Sequence, residues 1–151
     1  MVERTQDEIK ARHDASTDMF GFDREVLAQS MDLTTLAAAG YDVSQLDWAP
    51  IAGEKLESNA RDYLTFAIDK VEDHRGISAD RSVTKLREYA WLMGRDDVVA
   101  AMDAERYEQY GAPMLHAFAQ TLDWPWPESD ALSRMADGLP CSDDCEEGCG
   151  R

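Results

Sequence analysis

Apolar residues in the middle of the chain recur at steps of three and four, the spacing that places them on one face of an α-helix. The longest run predicts a helix over 54–75, ended by Gly76, with an inward face of Leu56, Tyr63, Leu64, Ala67, Ile68 and Val71. Ser78 then caps a second helix that runs to Met93 and stops at Gly94. Because the link between the two is so short, they predict an antiparallel αα-hairpin.

Shorter helical segments flank this hairpin on both sides. Residues 3–14 are mostly polar and form either a helix with a narrow contact stripe or a frayed arm. We expect helices over 23–31 and 33–39 after it, the second closed by Gly40, and further helices from Asp96 or Asp97 and from Pro113 beyond the hairpin. No alternating segment is long enough to suggest a β-strand. The pattern therefore predicts an all-α fold, a compact bundle of five to seven helices built on the central hairpin.

The character of the chain changes after Leu122. We expect an acidic helical domain over 1–122, followed over 123–151 by a Pro/Trp segment and an acidic tail that contains three cysteines. Trp91 is expected in the core, beside the apolar stripe of its helix. Trp124 and Trp126 either fold back over the bundle or stay partly exposed as anchors for a partner.

The net charge of the chain disfavours two classes of function, binding to nucleic acid and binding to anionic membranes. The 31 acidic residues against 15 basic ones give a net charge of -16, which disfavours contact with a nucleic-acid backbone or an anionic membrane. The charge is uneven, since 1–60 has 12 acidic and 5 basic residues, 61–120 has 11 and 8, and 121–151 has 8 and 2. The ends of the chain therefore hold most of the acidic excess.

The cysteines are the first candidate for chemistry. Cys141, Cys145 and Cys149 are four residues apart, so their thiolates can face one another and hold zinc if a fourth ligand joins them. The acidic residues between them raise the thiol pKa values, which disfavours reactivity. A solvated tail without a metal is the competing interpretation, and the rest of the sequence indicates no cofactor.

Two carboxylate pairs are the second candidate. Glu54 and Glu57, followed by Asp69 and Glu72, lie at helical spacing, as in all-α nucleotide pyrophosphohydrolases that hold Mg²⁺. In so acidic a chain such pairs also arise by chance. Lys55 and Lys70 are placed to neutralise them, so a solvated helix face is the alternative.

The third candidate is the basic concentration formed by Arg75, Arg81, Lys85 and Arg87 around the hairpin link. These cations can grip a phosphate or an acidic partner, or they can pair with neighbouring carboxylates of the chain itself. The three histidines are dispersed, with no serine or cysteine placed to form a catalytic dyad, so we identify no catalytic residue.

Three motifs carry a resemblance to a group of small helical proteins encoded by tailed phages and prophages. They are Arg-Gly-Ile-Ser-Ala-x-Arg-Ser at 75–82, Ala-Trp-Leu-x-Gly at 90–94 and Tyr-Gly-Ala-Pro at 110–113. The motifs lie in the longer similar segments 62–94 and 110–127, and 20–31 resembles the front end of the same group. The resemblance thus extends between residues 20 and 127, somewhat more than two thirds of the chain. The resemblance implies a fixed helical fold and a phage or prophage origin, and it brings no activity or site residues.

Together these features predict a small, acidic, non-enzymatic protein that binds a host or defence protein with a basic surface, with mimicry of nucleic acid as a special case. The alternatives are an Mg²⁺-dependent nucleotide pyrophosphohydrolase, a zinc-binding accessory protein, and an accessory or structural protein adapted to high salt. Because the opening residues lack the apolar run of a secretory signal and no segment is long enough to span a membrane, we expect it in the cytoplasm of a prokaryotic cell.

Overall fold

Helices are the regular elements of this structure, a computed structural model that describes residues 4–15, 22–45, 51, 53–73, 76–106, 108–128 and 130–137. Within these ranges there is no β-strand. The α-helices are α1 (Gln6–Ala15), α2 (Phe22–Gln29), α3 (Leu33–Ala38), α4 (Gly53–Glu72), α5 (Gly76–Leu92), α6 (Asp96–Asp103), α7 (Ala112–Thr121) and α8 (Asp130–Ala136). Short 3-10 turns lie at Val43–Gln45 and Gln109–Gly111.

The all-α prediction is confirmed, with eight helices in the described residues where five to seven were expected. The additional helix is α8, in which Leu132 and Met135 are the buried side chains among the described ones. Two apolar residues three positions apart are too few to establish a period of 3.6, so the sequence pattern left this helix uncertain.

The helices α4 and α5 form the predicted hairpin. Asn59 donates a hydrogen bond to the Tyr89 hydroxyl, while Lys85 lies over the ring of Tyr63. Asn59 comes before Tyr63 along α4, whereas its partner Tyr89 comes after Lys85 along α5. The two helices are therefore antiparallel.

The boundary between these two helices differs from the prediction. Gly76 is the first residue of α5, not the residue that ends α4, and Ser78 lies inside α5 instead of capping it. Glycine has no side chain that restricts its backbone angles, so it occupies a first helical position as readily as the left-handed position after a helix.

One core joins these helices. Its largest buried side chains include Phe118 and Leu115 of α7, Leu86 of α5 and Leu56 of α4, all at most 2% exposed. Leu132 and Met135 belong to the same cluster, and Trp124 and Trp126 pack against it. Residues 124–135 therefore bury apolar surface on the helices of the preceding 122 residues.

Three helices end in the same way, with a residue of positive φ at the C′ position. These residues are Gly40 (φ 100°), Gly94 (φ 73°) and Asp123 (φ 59°). In each case the next N–H donates to a carbonyl five residues back, and the C′ N–H to one three residues back, as in a Schellman motif. The three turns set the positions of the residues that follow, Tyr41, Arg95 and Trp124. The sequence predicted Gly40 and Gly94 as helix ends, and both are confirmed.

Polar contacts hold α1 onto the bundle. Arg12 donates two hydrogen bonds to the carboxylate of Glu88, which is 2% exposed, with Nε to Oε2 at 2.6 Å. The guanidiniums of Arg4 and Arg12 each lie 4.7 Å from the centre of the Trp91 ring. Trp91, which we expected in the core, is only partly buried. It lies at the surface of the bundle, where Arg12 of α1 and Arg4, two residues before α1, cover its ring.

No helix in the described part of the chain combines the length and the apolar composition that a membrane span requires.

Candidate functional site

The structure does not bring the two carboxylate pairs together. Glu54 and Glu57 lie near the first turn of α4, whereas Asp69 and Glu72 lie in its last turn. The 12 residues from Glu57 to Asp69 correspond to about 18 Å along the helix axis. Among the described residues, no group of three or more His, Cys, Asp and Glu is arranged to hold a metal ion. Cys141, Cys145 and Cys149 lie outside the described residues, so the zinc prediction stays a prediction.

Cations of the predicted basic concentration make ion pairs inside the fold. Lys85 pairs with Glu25 at 3.2 Å, and Arg87 donates two hydrogen bonds of 2.8 Å to Asp103. The bonds from Arg87 hold the pKa of Asp103 below its ordinary value. Arg81 is exposed on α5, and Arg75 lies outside the described residues. Lys85 and Arg87 thus tie α5 to α2 and α6.

The solvent-exposed side of α4 has a different character. Four of its carboxylates, those of Glu54, Asp62, Asp69 and Glu72, make no ion pair or hydrogen bond within the described part of the chain. At 100° per residue they occupy a sector of about 80° around the axis and extend over about 27 Å. We call this surface the α4 outer face.

Neighbouring groups leave this charge largely uncompensated. Lys55 makes no ion pair with described residues, and the Lys70 ammonium lies 4.8 Å from the centre of the Phe66 ring instead of on a carboxylate. The expected neutralisation by Lys55 and Lys70 is therefore not seen. Phe66 itself is 46% exposed at the edge of the α4 outer face, with the Tyr63 ring 5.6 Å away.

Trp124 and Trp126 lie against the bundle. Trp124 packs edge-on against Phe118, with ring centres 5.5 Å apart, and the Arg61 guanidinium lies 4.5 Å from its ring centre. Trp126 packs edge-on against His116 at 4.9 Å. Its indole N–H is buried and finds no acceptor among the described residues. Both rings remain partly exposed, so each also presents an edge to solvent.

Trp124 also forms one wall of a cleft of about 470 Å³ at the start of α4. Two arginines line this cleft, and each is held by a carboxylate. Arg61 pairs with Glu57 at 3.2 Å, and Arg95 donates two hydrogen bonds of 2.9 Å to Asp97. Those bonds raise the pKa of Arg95 and lower that of Asp97. Because its cations are already compensated, this cleft does not select an anion.

A larger cleft, of about 630 Å³, lies between α1, α2 and the turn after α3. His13, fully buried, lies on its inner side, with Nε2 2.7 Å from the Tyr41 hydroxyl and Nδ1 3.3 Å from Asp14 Oδ1. Arg24, Glu25 and Gln29 of α2 complete the polar lining. We call it the His13–Tyr41 cleft.

Sequence reasoning missed this cleft. His13 and Tyr41 are 28 residues apart, so no local pattern in the sequence indicates that they meet. The available signal was Gly40, since a glycine at the C′ position of α3 returns the following tyrosine toward its own helix.

Comparison with protein-family models, with curated proteins and with solved structures finds no match to this chain.

Proposed function

We propose that this protein is a non-enzymatic binding protein, encoded by a phage or prophage, and that its α4 outer face binds a basic surface of a host or defence protein. The observation that carries the proposal is the set of four unpaired carboxylates beside the exposed ring of Phe66. Elsewhere in the described chain, many carboxylates are engaged by an arginine or lysine of the same chain.

Charge of this kind favours association with a cationic partner. Uncompensated carboxylates on one face attract a basic protein over a distance of about the Debye length and raise the rate of encounter. Phe66 supplies the apolar contact around which a stable interface is organised, since aromatic side chains dominate the centres of protein interfaces. The 20-residue helix α4, fixed by its buried face, presents both elements on a rigid support.

The spacing of the carboxylates favours a general acidic surface over a nucleic-acid mimic. The four carboxylates average about one charge per 9 Å of helix axis, whereas one strand of duplex DNA carries one per 3.4 Å. The α4 outer face alone therefore has less than half the charge density of a single strand. A basic protein surface with a few separated cations matches it better than a nucleic-acid-binding groove.

The test compares two variants of equal net charge. Asp62→Asn with Asp69→Asn and Glu72→Gln neutralises three of the four carboxylates of the α4 outer face. Asp7→Asn with Glu105→Gln and Glu108→Gln removes the same number of charges from exposed positions elsewhere. Wild-type protein and both variants are immobilised, exposed to bacterial lysate at low salt, and the retained proteins are identified by mass spectrometry.

We expect at least one protein that is retained by the wild type and the control variant, lost from the α4 variant, and released as salt is raised. Screening by salt removes an attraction between exposed charges, so release must track ionic strength. Equal retention on both variants, or retention of nothing at low salt, contradicts the proposal.

A further inference from the structure

We propose that the His13–Tyr41 cleft is a binding site for a small organic acid with a flat apolar body and a hydroxyl group, the chemistry of a hydroxylated aromatic carboxylate. Its volume falls in the range of small-molecule sites, about 300–1,000 Å³. The inference does not depend on the α4 outer face.

Arg24 supplies the selection for a carboxylate. Although acidic residues outnumber basic ones two to one, Arg24 is exposed and has no ion pair or hydrogen bond with the described residues. The neighbouring carboxylate in the cleft, Glu25, is engaged by Lys85 at 3.2 Å. The rim therefore carries a guanidinium whose planar fork of donors matches a carboxylate.

The hydroxyl of Tyr41 is fixed by a chain of hydrogen bonds. Hydrogen bonds from Lys10 and His13 hold the pKa of Asp14 below its ordinary value, so Asp14 is ionised and accepts from Nδ1–H of His13. In the neutral imidazole with its proton on Nδ1, Nε2 accepts the hydrogen bond that the Tyr41 hydroxyl donates. The tyrosine oxygen then has lone pairs left to accept a hydrogen bond from a ligand.

Small residues in the lining favour a flat molecule. Ala28, Ala39 and Gly40 line the same cleft as Arg24 and Tyr41. None of the three projects a bulky side chain into the space, and Tyr41 is 39% exposed, which leaves it accessible for stacking. A planar ring that carries both a carboxylate and a hydroxyl can engage Arg24 and Tyr41 together. Gln29, whose side-chain amide makes no bond with described residues, can join either contact.

The experiment uses the full chain and 4-hydroxybenzoate as the probe. Binding is measured by calorimetry, and the affected residues are located by amide chemical shifts. Two further probes each remove one feature: 4-methoxybenzoate lacks the hydrogen-bond donor, and 4-hydroxybenzamide lacks the charge. We expect both to bind more weakly, the amide by about tenfold or more, because a charge-assisted bidentate contact is lost.

Variants of the protein give an independent measure. We expect Arg24→Gln to weaken 4-hydroxybenzoate binding by about tenfold or more, and Tyr41→Phe to abolish the difference between the hydroxy and methoxy acids. Arg106→Gln is the matched control. Arg106 lies outside the cleft, and like Arg24 it is exposed and makes no ion pair or hydrogen bond with described residues. Melting curves of all three confirm that each variant is folded.

Several results overturn the site. They are an absence of saturable binding up to about 10 mM probe, equal affinities of Arg24→Gln and Arg106→Gln, or shifts confined to residues outside the cleft. The variant of the α4 outer face should bind the probe with wild-type affinity. Loss of probe binding therefore counts against the cleft alone, and the lysate experiment tests the α4 outer face separately.

Discussion

Single residues in the left-handed conformation decide which side chains line the clefts. Gly40, Gly94 and Asp123 occupy equivalent positions after α3, α5 and α7, and each turn places the next residue, Tyr41, Arg95 or Trp124, beside a cleft. Two of these positions carry glycine, which adopts a positive φ without strain. The third carries aspartate, for which this conformation is less costly than for most side chains.

Asp123→Gly tests whether that conformation is strained. We expect the variant to increase the free energy of unfolding by about 0.5–1 kcal/mol, because relief of left-handed strain exceeds the added entropy of the unfolded chain. Asp123→Ala should decrease it by a similar amount, since alanine lacks the short polar side chain that makes the conformation tolerable. Urea denaturation measures both, and equal stabilities of the two variants would refute the assignment.

At the level of elements, α1 differs from the other helices in how it is attached. Its buried residues are only Ile9 and His13. Hydrogen bonds supplement this small apolar contact. The Gln6 side chain donates to the Ser30 carbonyl and accepts from the Asp32 N–H, and Arg12 donates to Glu88. Helix α1 is therefore held by directional polar contacts more than by apolar burial.

Arg12→Ala tests this attachment. The substitution leaves the carboxylate of Glu88 buried, and the remaining ion-pair partner among the described residues is Arg87 at 3.8 Å. We expect a loss of about 3 kcal/mol in the free energy of unfolding, because an uncompensated buried charge is costly. Lys10→Ala, on the same helix, removes an exposed pair with Asp14 and should cost less than about 1 kcal/mol.

The double variant Arg12→Met with Glu88→Leu completes this experiment. It should recover most of the lost stability, since replacing both members of a buried pair with apolar groups removes the desolvation penalty. Denaturant curves give the three values. If Arg12→Ala and Lys10→Ala cost the same, the ion pair is not what holds α1.

Across the whole molecule, the acidic residues are divided between two roles. Some tie helices together, as in Arg12–Glu88 between α1 and α5 and Arg87–Asp103 between α5 and α6. Asp96 of α6 likewise holds Arg4, which lies just before α1. Others, such as those of the α4 outer face, project into solvent without a cation. The net charge of -16 therefore combines carboxylates used in the fold with carboxylates available to a partner.

Salt dependence of stability separates a binding surface from adaptation to high salt. Because the interhelical carboxylates are paired within the chain, we expect the protein to be fully folded at about 0.1 M KCl. The melting temperature should rise only by a few degrees at about 1 M, as repulsion between exposed carboxylates is screened. Circular dichroism melts measure this. A chain that is unfolded at 0.1 M KCl and folds only in molar salt would favour the high-salt alternative.

Local features of the sequence determined the helices. Periods of 3.6 residues and the glycines at 40 and 94 predicted the all-α fold, the α4–α5 hairpin and two helix ends, because each depends on residues within a few positions of one another. The sequence was less informative at two places. Gly76 is compatible with the end of one helix and with the start of the next, and α8 has too few apolar residues to show a helical period.

Only the tertiary structure decided what the polar side chains do. Helical spacing placed the two carboxylate pairs on one long helix, but it did not show which carboxylates have a cation. Glu57 is paired with Arg61 and the buried Glu88 of α5 with Arg12. The four carboxylates of the α4 outer face have no cation among the described residues. Spacing also gave no sign that His13 meets Tyr41. Ion pairs and cleft walls join residues from helices far apart in the chain, so their partners are fixed by how the apolar faces pack and not by any local pattern.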